Sequence, residues 1–187
     1  MAGRNPNARS RDMLISMAVL IVPVLALVWL FSQDGDARPA AIDVAPALER
    51  AQAESPYPVL HAEGLGEGWT PVRADWARTG DPFVTSEPAL GNSWQLGYLS
   101  PDEIYYGILQ RDSAPDSLIT DTTREGTAVG EDAAIGGREW QRYESKDGRT
   151  RSLVHRDGEL TAVVSADTDF ADLEAFAASL VEAQPAG

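Results

Sequence analysis

Two histidines, His61 and His155, are the only imidazoles in the 187 residues. Neither has a second ligand at HExxH-type spacing, so each reads as a polar strand residue rather than a metal ligand or a base. No GxSxG elbow and no SxxK motif occurs, and covalent serine chemistry therefore lacks its usual local geometry. The chain has no cysteine, which removes thiolate metal sites, thiol catalysis and redox chemistry. Gly64-Leu65-Gly66-Glu67-Gly68 has the glycine content of a phosphate cradle but neither the GxGxxG spacing nor a GK[ST] ending. It reads as a turn before a strand. The pairs Asp34/Asp36 and Asp167/Asp169 supply oxygens of the kind calcium wants, yet neither extends into a DxDxDG loop. Helix capping already accounts for the second pair. A glycosidase carboxylate pair is defined by separation in space, so the sequence does not single one out. The expectation is a non-enzymatic chain without cofactor or metal.

The aromatic residues point to binding. Trp69, Trp76, Trp94, Tyr98, Tyr105, Tyr106, Trp140 and Tyr143 lie on or beside strand-like segments, and most are needed to fill a core. Because alternation points to both faces, Trp76, Tyr105 and Tyr143 are the candidates for exposure. Together with Arg142 they make the candidate ligand or partner face.

The elements that must position these residues follow from periodicity. Ser93–Ser100 puts Trp94, Leu96 and Tyr98 on one side, and Glu103–Gln110 opposes Ile104, Tyr106 and Ile108 to Tyr105 and Leu109. Ser100-Pro101-Asp102 between them is a turn, which predicts an antiparallel hairpin. Arg138–Glu144, Arg149–Arg156 and Glu159–Ser165 are three more strands, separated by Lys146-Asp147-Gly148 and Asp157-Gly158. Shorter pieces lie near Tyr57–His61 and Val72–Trp76. A stripe of Phe170, Leu173, Phe176, Ala177, Leu180 and Val181 predicts a closing amphipathic helix, capped by Asp167 or Thr168. A shorter helix is expected over Pro115–Arg124. The fold class is α+β: a meander of about five to seven antiparallel strands packed by the C-terminal helix.

Upstream, the 19 residues Met13–Phe31 carry no charge. As a helix they reach roughly 28 Å, the thickness of a bilayer core. Arg4, Arg9 and Arg11 precede the run while Asp34 and Asp36 follow it, so the positive-inside rule keeps residues 1–12 in the cytoplasm and exports the rest. The run is long for a cleaved signal, and it is expected to stay as a single-pass anchor. Residues 32–56, rich in alanine, proline and charge, read as a stalk in which Ala45–Glu54 has the makings of a short helix. The extracytoplasmic domain is then 57–187. The whole chain has a formal charge of −14; residues 1–31 carry +2, leaving −16 on the exported part. That charge repels nucleic acid and anionic headgroups. A single lysine, Lys146, against 14 arginines suggests a bacterium of high GC content.

One apolar span, the alanine-proline stalk, Gly68-Trp69, Trp94 with Gly97-Tyr98, the Tyr106–Gln110 strand, Gly137 before Trp140 and the Leu173–Leu180 helix together resemble an uncharacterised family of actinobacterial single-span envelope proteins. The resemblance covers most of the chain and implies a membrane-anchored exported α+β domain, with no activity or site residue to carry over. The expected partners are the lipid bilayer, through Met13–Phe31, and a membrane or envelope protein. The expected role is an accessory or interaction subunit of a cell-envelope complex. The alternative is a binding module for an envelope glycan or lipid, and an unrecognised hydrolase ranks below both.

Overall fold

A computed structural model of the chain describes residues 17–28, 39–84 and 86–186. It divides into two compact units, residues 1–40 and 41–187. In the first, residues 17–28 are helical (α1) and carry exposed apolar side chains such as Leu20, Val22 and Leu25. Among the described residues no helix is long and apolar enough to cross a membrane, and the run Met13–Phe31 lies partly outside them.

The second unit is α+β. Its eight-stranded antiparallel sheet contains β2 (Thr70–Ala77), β3 (Ser93–Leu99), β4 (Tyr105–Arg111), β5 (Thr127–Ala128), β6 (Ala133–Ile135), β7 (Arg138–Glu144), β8 (Arg151–Asp157) and β9 (Leu160–Ala166). The order is β2-β3-β4-β9-β8-β7-β5, with β6 also pairing β7. A separate two-stranded sheet joins β1 (Val59–Ala62) to β10 (Leu180–Ala183). All the strands expected from alternation are present, and β5, β6 and β10 are additional.

The order differs from a simple meander. β4 pairs with the last long strand, β9, because helix α3 (Pro115–Thr122) carries the chain across one face to the far edge, where β5 pairs β7. The strands β7, β8 and β9 then run back as two hairpins to reach β4.

The two faces of this sheet have different covers. On the main core side Trp94, Leu96, Ile108, Trp140, Leu153 and Val164 are fully buried beneath helix α4 (Phe170–Ala178), the β1–β10 pair and helix α2 (Ala45–Glu54). On the other side α3 seats Leu118 and Ile119 on Val154 and Val163. That helix covers the middle of the face and leaves the end near Tyr105 open.

Three local expectations are corrected. Residues 41–56 are not a free stalk: α2 lies on the sheet with Ala51 fully buried, and the Ile42 N–H donates to the Pro71 carbonyl on the edge of β2. The closing helix stops at Ala178. Leu180 and Val181, which continue its stripe, belong to β10 and pair with Ala62 and His61. Its cap is Asp169, whose carboxylate accepts from the Asp172 N–H at 3.0 Å, not Asp167 or Thr168. Asp167 instead accepts from the Thr150 hydroxyl at 2.5 Å.

β1 sits across the sheet rather than in it, and side chains satisfy its backbone. The Leu60 N–H donates to Gln110 Oε1 (2.6 Å) and the Leu60 carbonyl accepts from Trp94 Nε1 (2.8 Å). Gln110 Nε2 donates to the Pro58 carbonyl (3.2 Å), and the Ala62 N–H donates to Tyr98 Oη (3.3 Å). Three core side chains thus do the work of a neighbouring strand, meeting the demand that buried backbone groups be paired.

Candidate functional site

The four residues of the expected face are not one surface. Trp76 is buried on the core side, edge-to-face with Tyr57 at 6.0 Å, and its Nε1 donates to the Glu54 carboxylate at 2.9 Å. Arg142 is also on the core side. Its Nε donates to Glu174 at 2.6 Å, Nη1 donates to the Glu131 carbonyl, and its guanidinium lies 5.7 Å from the Phe170 ring centroid. Trp76 and Arg142 therefore fasten α2 and α4 to the sheet. Tyr143 and Tyr105 share the opposite face, but Tyr143 is half-buried beside the Leu118–Val163 cluster and donates to Gln141. Tyr105 alone of the four is substantially open, at 42 % exposure.

The Trp76–Glu54 pair carries a pH dependence. Desolvation pushes the Glu54 pKa up, but the Trp76 indole together with Arg50 and Arg78 outweighs it, and the carboxyl titrates below its ordinary value. A depressed folded pKa contributes stability that is present above the unfolded value, near 4.3, and is lost as pH falls through the folded value. Acidification through this range is expected to weaken the hold on α2 and shift the Trp76 emission. In Glu54→Gln that emission change is absent, and a change persisting in the variant would contradict the assignment.

Tyr105 owes its placement to glycines on neighbouring strands. A Cβ added at Gly97 would stand 2.5 Å from its ring Cε2, and one added at Gly107 would stand 3.1 Å from Cε1. The ring therefore lies across both glycines. Gly97 pairs with Gly107, Gly107 with Ser165, and Ser165 with Ser152, so small residues cross four strands in one row. Burial raises the Tyr105 pKa, Arg73 opposing and Asp75 adding to the shift, so the phenol is a neutral donor at physiological pH.

Between this row and the end of α3 lies a groove of about 370 Å³, lined by Tyr105, Asp121, Arg124, Ser165 and Asp167 among others. Asp121 and Arg124 also border a second cleft of about 520 Å³, with Lys146 and Asp147 on its far side. Arg124 stands where α3 ends in a Schellman motif. The Glu125 N–H donates to the Thr120 carbonyl at 2.8 Å and the Arg124 N–H to the Asp121 carbonyl at 3.3 Å. That motif usually has glycine in the left-handed position, but here Arg124 takes it with φ 56°. Arg124→Gly is expected to stabilise the domain by roughly 0.5–1 kcal/mol, read by denaturant unfolding. A loss of stability would mean that the guanidinium's 3.8 Å contact with Asp167 outweighs the backbone strain.

At the same end of the sheet but on its core side is a cleft of about 420 Å³ beneath the Gly64–Gly68 loop. Trp69 stacks on Phe176 (5.4 Å, 19°) and meets Tyr106 edge-on (4.9 Å), with Asp102 and Asp172 at the rim. Those carboxylates disfavour a phosphate. Gly68 (φ 89°) lies against Pro101, which the turn reading of this loop accommodates. The histidines are placed in strands: His155 Nδ1 is 2.8 Å from the Glu139 carbonyl oxygen, and His61 Nε2 is 3.1 Å from Glu63 Oε1. Among the described residues no three histidine or carboxylate groups cluster as metal ligands, and the pair Asp34/Asp36 lies outside those residues.

Of the groove residues, sequence reasoning found Tyr105 but missed Ser165, Arg124 and the glycine row. The available signal was the small residue within each strand, Gly97, Gly107 and Ser165, which the register brings side by side. The class is now defined: an α+β domain whose antiparallel sheet keeps one end of one face open around a tyrosine-walled groove. The chain belongs to the family described as a protein of unknown function (DUF4245), which matches residues 6–180. Comparison with curated proteins and with solved structures finds no match.

Proposed function

We propose that the chain is a membrane-anchored, non-catalytic extracytoplasmic domain that serves a cell-envelope complex as an accessory or interaction subunit. The face around Tyr105 makes its contact. The observation that carries this reading is the open tyrosine: a large amphipathic ring, fixed over two glycines, faces outward on a sheet whose Trp76, Trp94, Tyr98, Tyr106 and Trp140 are turned inward. The anchor reading is supported by the uncharged run Met13–Phe31 with arginines before it and aspartates after it, and by the helical state of residues 17–28. On this reading the N-terminus is cytoplasmic, residues 32–187 are exported, and the arginine and alanine bias fits an actinobacterial source.

A photoreactive side chain at position 105 of the full-length protein, activated in its own membranes, tests the reading. After mild-detergent purification, mass spectrometry is expected to find a stoichiometric adduct at position 105 and none at exposed Asp157. Tyr105→Ala is expected to lose the partner while the domain stays folded at the assay temperature, which circular dichroism checks. Undiminished partner recovery with Tyr105→Ala would contradict the assignment of the face.

A further inference from the structure

We infer that the groove beside Tyr105 takes a neutral oligosaccharide; this deepens the contact-face reading and rests on it. The lining decides the chemistry. Glu103, Asp121 and Asp167 line the groove against Arg124 alone, so an anion meets a net negative lining. An anion meets in addition the large negative charge of the whole chain. A neutral ligand rich in both donors and acceptors meets no such opposition. Carboxylates accept from its hydroxyls, while the Arg124 guanidinium and the Tyr105 phenol donate to its oxygens.

The wall selects within that class. Tyr105 rests with its ring across Gly97 and Gly107 and is 42 % exposed, which leaves its outer surface as an apolar platform. A pyranose or furanose ring has the matching shape, with C–H groups on one face and hydroxyls at its rim. Stacking on a tyrosine buries the C–H face and leaves the hydroxyls to the polar groups.

The strand next to the groove adds an independent observation. Ser152 is 1 % exposed and its hydroxyl has no hydrogen-bond partner in the protein. It projects on the same face as its cross-strand partner Ser165, which lines the groove. A buried hydroxyl without a partner is uncommon and asks for a polar guest or a bound water beside it. Length follows from the second cleft: Asp121 and Arg124 border both cavities, so polar lining continues past α3 toward Lys146 and Asp147. A chain of two or more rings spans both, where a single ring fills one.

The test uses the full-length protein in nanodiscs of zwitterionic lipid. It is titrated with neutral di- to tetrasaccharides of hexoses and pentoses, and with uronic-acid counterparts of the same length. Saturation-transfer NMR and titration calorimetry are the readouts. At least one neutral oligosaccharide is expected to bind at least about tenfold more tightly than its uronic-acid counterpart. Tyr105→Ala is expected to weaken binding by about tenfold or more. Gly97→Ala is expected to do the same by lifting the ring from its bed, with little cost to the fold because the displaced atoms are the far end of a partly exposed side chain. The inference is overturned if no neutral saccharide binds, if the uronic acids bind as well, or if binding survives Tyr105→Ala. Should no saccharide bind while position 105 still cross-links to an envelope protein, the ligand class fails and the contact face stands. Should both be negative, both fail.

Discussion

Gln110→Ala is expected to lower the unfolding free energy by about 3 kcal/mol, or roughly 6–12 °C in midpoint for a chain of this size. Gln110 is 2 % exposed and carries two bonds to a strand that has no strand neighbour on that side. Alanine leaves the Leu60 N–H and the Pro58 carbonyl without their side-chain partners. Each orphaned group costs about 1–3 kcal/mol. The loss is expected to be local first: amides of β1 and β10 exchange faster in the variant, while those of β8 and β9 slow and speed only with global stability. A destabilisation under about 1 kcal/mol would show that β1 is held by apolar packing alone.

Trp94→Ala is expected to cost more, about 4 kcal/mol, because the indole is fully buried on the core side of β3 and leaves a cavity behind it. The effect has two parts that a second variant separates. Trp94→Phe keeps most of the ring volume but removes Nε1, so the Leu60 carbonyl loses its 2.8 Å donor. That variant is expected to cost about 1–3 kcal/mol, chiefly the orphaned acceptor. Since Trp94 and Gln110 hold the two backbone groups of one residue, their effects are not independent. Once one is gone Leu60 moves, and the second removal costs less than it does alone. Strict additivity in the double variant would mean that the two bonds act separately, against the account of β1 as a unit.

How much of this was legible in the sequence depends on the distance over which each force acts. The strands Ser93–Leu99 and Tyr105–Arg111 are visible because burial alternates along them, Trp94, Leu96 and Tyr98 inward and Gln95 outward, with a turn between. Which strand lies beside β4 is not visible, since β7, β8 and β9 are of equal length and all offer apolar residues; the α3 crossover makes the choice. The end of α4 was misread for a physical reason. Leu180 and Val181 fit a helical stripe, but the Ser179 N–H turns back to the Phe176 carbonyl and the chain leaves as a strand against β1. The docking of α2 was hidden by its small side chains: Ala51 reaches the core because it is small, and composition reads that as linker.

The site shows the same division. Tyr105 was identifiable because it alternates with the buried Tyr106. Arg142 was not separable from it, because its partner Glu174 lies 32 residues away and only the folded chain reveals the pair. The glycines under Tyr105 acquire meaning only through the register that sets Gly97 opposite Gly107. Arg124 was invisible as a wall residue because its place follows from a helix ending that glycine normally provides.

The central claim, that the open end of the sheet around Tyr105 is the working surface, is tested most directly by hydroxyl-radical footprinting of tyrosines. The full-length protein is compared in its native envelope and after purification. In the purified protein Tyr105 is expected to be strongly modified, while Tyr57, Tyr98 and Tyr106, all at least nine-tenths buried, react little. In the native envelope Tyr105 is expected to be protected severalfold by whatever occupies the groove. Equal modification of Tyr105 in both states would contradict the account, because a contact surface that stays bare where the protein works is not its contact surface.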